Sequence, residues 1–159
     1  MNETQVYAQW LDELTGATEP APETAGVMAP LLTRGTQTRD TVLLSIFDRN
    51  MTADHMAAIM DAPNDPVNVA YSTQVLRRVL RNGDILARSR TLRALDLLDG
   101  CSDTPEYHAV LAYLAWFAGS DRFDREEQAA GDGGRYASLV ELARTGHERG
   151  VYPGHMVKA

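Results

Sequence analysis

An all-α fold follows from three features of this sequence. In its last third, apolar residues recur at i, i+3, i+4 and i+7, the spacing that gathers them on one helix face. Residues that start and stop helices punctuate the chain, most plainly Thr104-Pro105, Gly119 and the pair Gly150 and Pro153. No stretch alternates β-branched and polar residues for long enough to make a strand. The expected architecture is a compact multi-helix bundle of about six to eight short helices, the first of them tethered.

From the N-terminus, residues 3–14 (ETQVYAQWLDEL) place Val6, Trp10 and Leu14 on one side of a helix that Gly16 ends. Residues 15–26 carry two prolines and no large apolar side chain, the composition of a flexible linker. Residues 1–14 then form an amphipathic arm, 15–26 its tether and 27–159 the helical domain. An arm of that kind docks on a groove, which makes Val6, Trp10 and Leu14 the candidate partner-binding residues. A short helix is expected over Val27–Leu32 and another over Thr38–Phe47, with Val42, Leu43, Ile46 and Phe47 inward. Asn50 breaks the second, and Thr52 caps a helix whose stripe is Met56, Ile59 and Met60. Residues 61–68 (DAPNDPVN) read as a loop.

Ser72 or Thr73 opens the next helix, with Val75, Leu76, Val79 and Leu80 inward and Asn82-Gly83 as its stop; Asp84 caps a helix carrying Ile85, Leu92, Leu95 and Leu98. Pro105 starts a helix capped by Thr104. Tyr107, Val110, Leu111, Leu114, Phe117 and Ala118 share one face of it, and no charge occurs from Ala109 to Gly119, so this helix belongs in the centre. GDGG at 131–134 is a connector. The last helix is two-sided, Tyr136, Leu139, Val140 and Ala143 against Glu141, Arg144 and Glu148.

Composition limits the function. The 159 residues fit one domain with a core that needs no staples. Apolar runs reach about ten residues, short of the roughly 20 that span a bilayer, so no membrane partner is expected. Neither a basic n-region nor an apolar h-region opens the chain, so no secretory signal is expected. Cys101, the single cysteine, has no internal partner, which suits a reducing, cytoplasmic setting. The net charge of −7 disfavours non-specific attraction to phosphate backbones. Only residues 71–100 run against it, with six basic and three acidic side chains.

That segment carries the sharpest functional signal. Residues 39–83 have the layout of a helix-turn-helix, with Arg77, Arg78 and Arg81 on the third helix and Arg90 and Arg93 beyond it, a nucleic-acid-binding reading. Asp54, Asp61, the long expected loop and the overall acidity weigh against it. Arg88 falls within the apolar arc of its helix, one turn after Asp84, and reads as an ion-paired structural residue. His55, His108, His147 and His155 show no metal-ligand spacing with one another or with Cys101, and Val151 stands where a zinc helix beginning at His147 needs its second His. GDGG lacks the Lys-Ser/Thr ending of a phosphate loop, residues 121–127 do not follow a calcium loop's order, and no Ser sits in a nucleophile elbow. No catalytic residue, metal or cofactor is therefore assigned. An enzyme or ligand-binding site assembled in space would draw on Arg88, His108 and Tyr113.

RDTVLL at 39–44, LAYLAWFAG, a charged helix, a Gly turn, YASLVEL and the closing Gly150 and Pro153 follow one another in an order that resembles the C-terminal helical part of domain-of-unknown-function family 4192, common in actinobacteria and their phages. The matching residues are Ala115-Trp116 with Gly119, Tyr136-Ala137-Ser138-Leu139, and Gly150 with Pro153, within a stretch from Arg39 to Pro153. Two departures stand out. Family members carry a stranded N-terminal half where this chain has a short acidic helix, and an Ala- and Arg-rich helix where it has DRFDREEQAAG. The resemblance implies a helical fold and an actinobacterial or phage source, hence a host cytoplasm, and brings no activity. A genome rich in G and C fits the same source, since Lys158 is the only Lys among fifteen basic residues. The expected function is a non-enzymatic interaction or regulatory module that binds a protein partner or itself. A nucleic-acid-binding regulator and a small enzyme or ligand binder are the alternatives.

Overall fold

Three helix starts in this protein, those at Glu3, Ala53 and Pro105, are set by side chains that satisfy the first free backbone N–H groups. In the computed structural model, which describes residues 1–82 and 85–155, Asn2 Oδ1 accepts from Gln5 N at 2.9 Å while Gln5 Oε1 accepts from Asn2 N at 2.8 Å, a reciprocal box that opens α1 (Glu3–Thr15). Thr52 and Thr104 cap α4 (Ala53–Asp61) and α7 (Pro105–Ala118) through His55 N and Tyr107 N, as the sequence predicts. The other helices are α2 (Pro22–Arg34), α3 (Thr36–Phe47), α5 (Pro66–Asn82), α6 (Ile85–Leu98), α8 (Phe123–Ala130) and α9 (Ala137–Glu148), with 3-10 turns at Gly134–Tyr136 and Pro153–His155. The chain is 77% helical, and no strand occurs among the described residues.

Two helices form the interior. Every residue of α7 from Ala109 to Ala118 is buried, under α6, α8 and α9. In α3 every residue from Thr41 to Phe47 is buried, against α2, α4, α5 and α6. Phe47 joins the two, its ring 4.3 Å from that of Phe117 and 6.4 Å from that of Tyr113.

The N-terminus differs from the expected tethered arm. Val6, Trp10 and Leu14 are buried in this chain's own core, and Trp10, at 0% exposure, donates from Nε1 to Ser45 Oγ on α3 at 2.9 Å. α1 packs on α2, α4 and α6. Half of the expected linker is helix, because Pro22 opens α2 instead of breaking the chain: a proline in the first turn forfeits no intrahelical bond. Only residues 16–21 connect α1 to α2.

A second proline also opens a helix. α5 begins at Pro66, with Asp65 Oδ1 accepting from Val67 N at 2.9 Å, so the expected 61–68 loop shrinks to residues 62–65. The acidic run after Gly119 folds as α8, turning Phe123, Glu126 and Ala130 inward. Gly83 and Asp84, the expected stop and cap between α5 and α6, lie outside the described residues.

Candidate functional site

Arginine is the residue type with chemistry to spare here, and the helices sort it into three uses. Toward the C-terminus four guanidiniums face carboxylates: Arg122 meets Asp96, Arg125 meets Asp99 and Glu126, Arg135 meets Glu106, and Arg144 meets Glu127.

A second group closes helix C-termini. Arg90, 7% exposed, donates from Nε to Ile46 O at 2.9 Å and from Nη2 to Ser45 O at 2.6 Å, answering carbonyls that the end of α3 leaves open. Burial pulls its pKa below the usual arginine value, and the nearby Asp48 carboxylate counteracts this. Arg88 Nε donates to Ala118 O at 3.0 Å and serves the end of α7 in the same way. The structural reading of Arg88 thus stands, although its expected partner Asp84 lies outside the described residues. Arg90 is removed from the predicted nucleic-acid set, because a guanidinium held by two buried carbonyls does not reach a phosphate backbone.

The third group is unpaired. α5 buries Ser72, Val75 and Val79 and presents Val67, Ala70, Thr73, Gln74, Arg77, Arg78 and Arg81 outward. Not one carboxylate occurs within α5. Arg77, Arg78 and Arg81 form no hydrogen bond or ion pair with any described residue, so three guanidinium groups stand on one open face. Arg81, in the last turn, also complements the helix dipole. Asp61 and Asp65, both exposed, stand at the other end, where α4 leads into α5, and the exposed Asp54 is in the first turn of α4. Behind the face, the Tyr71 hydroxyl donates to Asp48 Oδ2 at 3.1 Å; burial first and this bond second raise the phenol's pKa.

Arg93, the last of the predicted set, is exposed on α6 but points elsewhere. Its guanidinium lies against Gly16, where an added Cβ would sit 2.6 Å from Nη2; Gly16 itself is left-handed, at φ 79°. It shares a cleft with Arg49 and the open side of Arg90, floored by Leu14 and Leu86. Arg49 carried no sequence signal, since it follows α3 alone and meets the α6 arginines only through tertiary packing.

The residues of the expected spatial pocket do not converge. Tyr113 is in the core and Arg88 is at the end of α7, while His108 lies in a surface cleft between the 99–104 loop and α8. His108 Nδ1 is 2.7 Å from Glu126 Oε2, and Nε2 is 2.7 Å from Asp103 Oδ1. Burial lowers its pKa, but the bonds to Glu126 and Asp103 outweigh burial and hold it above the ordinary imidazole value. With both ring nitrogens engaged, His108 is a charged clasp between α7 and α8 and keeps no free lone pair. His147 stacks on Phe123 at 4.3 Å and His55 packs on Tyr71; the side chain of His155 lies outside the described residues. No group of His, Cys, Asp and Glu suited to a metal forms among the described residues, and none of their helices is long and apolar enough to cross a membrane.

Fold and site together define an all-α protein with two cationic surfaces that no carboxylate of the described residues neutralises, the open face of α5 and the cleft beside α6. Comparison with protein-family models, curated proteins and solved structures returns no match for the chain.

Proposed function

We propose that the protein is a non-enzymatic interaction module that binds a protein partner through the outer face of α5. The observation that carries this reading is the contrast among arginines. Arg77, Arg78 and Arg81 pair with no carboxylate among the described residues, while Arg122, Arg125, Arg135 and Arg144 each have one. Guanidiniums that share a surface with Ala70, on a helix whose outer face also carries the exposed Val67 toward its N-terminus, suit a partner offering carboxylates and apolar side chains.

The nucleic-acid alternative gains one point, because the 62–65 turn is shorter than the sequence suggests. It loses more to Asp61 and Asp65, which adjoin the N-terminus of α5, the part that would lead into a groove. Fields from these carboxylates repel phosphates and tolerate a protein surface of mixed charge. The resemblance to family 4192 fits a binding role and adds no chemistry to it.

The test captures partners from a lysate of the producing cell with the tagged protein, in nuclease-treated and untreated halves. Wild type runs beside the Arg77→Ala/Arg78→Ala/Arg81→Ala variant. A stoichiometric protein that survives nuclease on wild type and is lost on the variant is the expected result. Equal capture by both proteins, or capture that disappears with nuclease, would overturn the reading.

A further inference from the structure

The cleft between the end of α1, the turn after α3 and the first half of α6 has a lining of one kind. Its volume is about 210 Å³, and its polar groups are the guanidiniums of Arg49, Arg90 and Arg93 and the hydroxyls of Thr15 and Ser89. The guanidiniums present donors alone and the Ser89 hydroxyl can donate, whereas the Thr15 hydroxyl gives its hydrogen to Asp12 O; no carboxylate of the described residues lines the space. We propose that this cleft is a binding site for a small phosphomonoester, the phosphate held by Arg49, Arg90 and Arg93 and a short apolar tail laid on Leu14 and Leu86.

The cleft is preorganised for an anion. Arg90 is buried and fixed through Nε and Nη2 by Ile46 O and Ser45 O, which leaves Nη1 with no protein acceptor. A guanidinium immobilised on two sides loses little further entropy when an oxyanion takes its third. Arg93 is positioned by its contact with Gly16, and neither Arg93 nor Arg49 forms an ion pair with a described residue. Asp48, the nearest carboxylate in its effect on Arg90, accepts from the Tyr71 hydroxyl and from Asn50 N and does not line the cleft. The partial negative charges at the ends of α1 and α3 offset part of the three positive ones, and a surplus remains for a doubly charged anion.

Size selects the ligand further. Pockets for drug-sized ligands begin near 300 Å³, so a cleft of about 210 Å³ takes a phosphate with a few carbon atoms and excludes a dinucleotide. The site is separate from the α5 face, and neither proposal depends on the other.

Calorimetric titration of the full chain with propyl phosphate, inorganic phosphate and butyrate, at constant ionic strength, tests the assignment. Saturable binding of propyl phosphate with Kd of about 1 mM or tighter is expected. It should weaken roughly tenfold or more in Arg49→Ala/Arg93→Ala. Leu86→Glu places a carboxylate at the mouth through an exposed position and gives the same loss without touching the Gly16 contact. The Arg77→Ala/Arg78→Ala/Arg81→Ala variant binds like wild type. Absence of saturation by about 20 mM, some twentyfold above the expected Kd, would overturn the assignment, as would unchanged affinity in both cleft variants. Butyrate binding as tightly as propyl phosphate would overturn it too.

Discussion

Replacing Trp10 by Ala removes the largest side chain that α1 contributes to the core. The indole is fully buried and its Nε1 bonds Ser45 Oγ, so the loss combines a transfer contribution, a cavity and one hydrogen bond. Trp→Ala substitutions in cores cost about 3–5 kcal/mol. Ser45 stays satisfied as a donor, because its hydroxyl also bonds Val42 O, which keeps the cost inside that range. At about 2–4 °C per kcal/mol for a domain of this size, the midpoint falls by about 6–20 °C. Trp10→Phe keeps most of the packing and loses the bond and some volume, for about 1–2 kcal/mol. Urea unfolding followed by far-UV circular dichroism reads both variants. If α1 were an arm held away from the body, Trp10→Ala would leave the stability within about 0.5 kcal/mol of wild type, as ordinary surface substitutions do. That result would refute the packing of α1.

Arg77→Ala, Arg78→Ala and Arg81→Ala each shift stability by no more than about 0.5 kcal/mol, since these side chains are exposed and pair with no described residue; Arg90→Ala, which strips Ser45 O and Ile46 O of their donors, costs about 2–4 kcal/mol in the same urea assay. His108 gives a pH signature. Its folded pKa lies above the unfolded value, so its stabilisation is fully present below the unfolded value, about 6.5, and is lost as pH rises through the folded one. Urea midpoints measured from acid to mildly alkaline pH should fall across that window in wild type and stay flatter in His108→Gln; parallel curves would show that the clasp is not the titrating element. Gly146→Ala, a change that favours a helix interior by about 1 kcal/mol, should instead destabilise α9 by about 1–3 kcal/mol. The added Cβ collides with Trp116 Nε1, which donates to Val151 O at 2.7 Å. A raised melting temperature would contradict that packing.

Legibility in the sequence tracked how local each signal was. α7 could be read directly, because Thr104-Pro105, the uncharged run and Gly119 act within one helix. The cap of α4 was equally local. Pro22 and Pro66 were not legible, since a proline that opens a helix differs from one that interrupts it only in whether the next residues are helical, and here tertiary packing holds them so. The candidate sites divide in the same way. A cationic α5 was visible as a charge excess, but Arg90 looks like Arg93 in the sequence. Only the position of α3 above α6 makes one of them a helix cap and leaves the other open.

The residues on which the expected resemblance to family 4192 rests are packing and turn residues in this fold. Trp116 seats on Gly146 and bonds Val151 O, and Gly119 ends α7 in a left-handed turn at φ 62°. Tyr136 is buried under the guanidinium of Arg39, 4.6 Å from its ring, so the first and last parts of the matched order meet across the fold. Pro153 and Gly154 close the chain over α7, with Gly154 against Phe117 O. Each of these residues fixes how α7 and α9 pack, and none belongs to either arginine surface. Arg49, Arg77, Arg78, Arg81 and Arg93 fall in the long helical stretch between the matched parts, where α3, α5 and α6 present solvent-facing positions that packing leaves unspecified. A scaffold held by one set of residues leaves the other set free to carry charge, and in this chain those charges are guanidiniums.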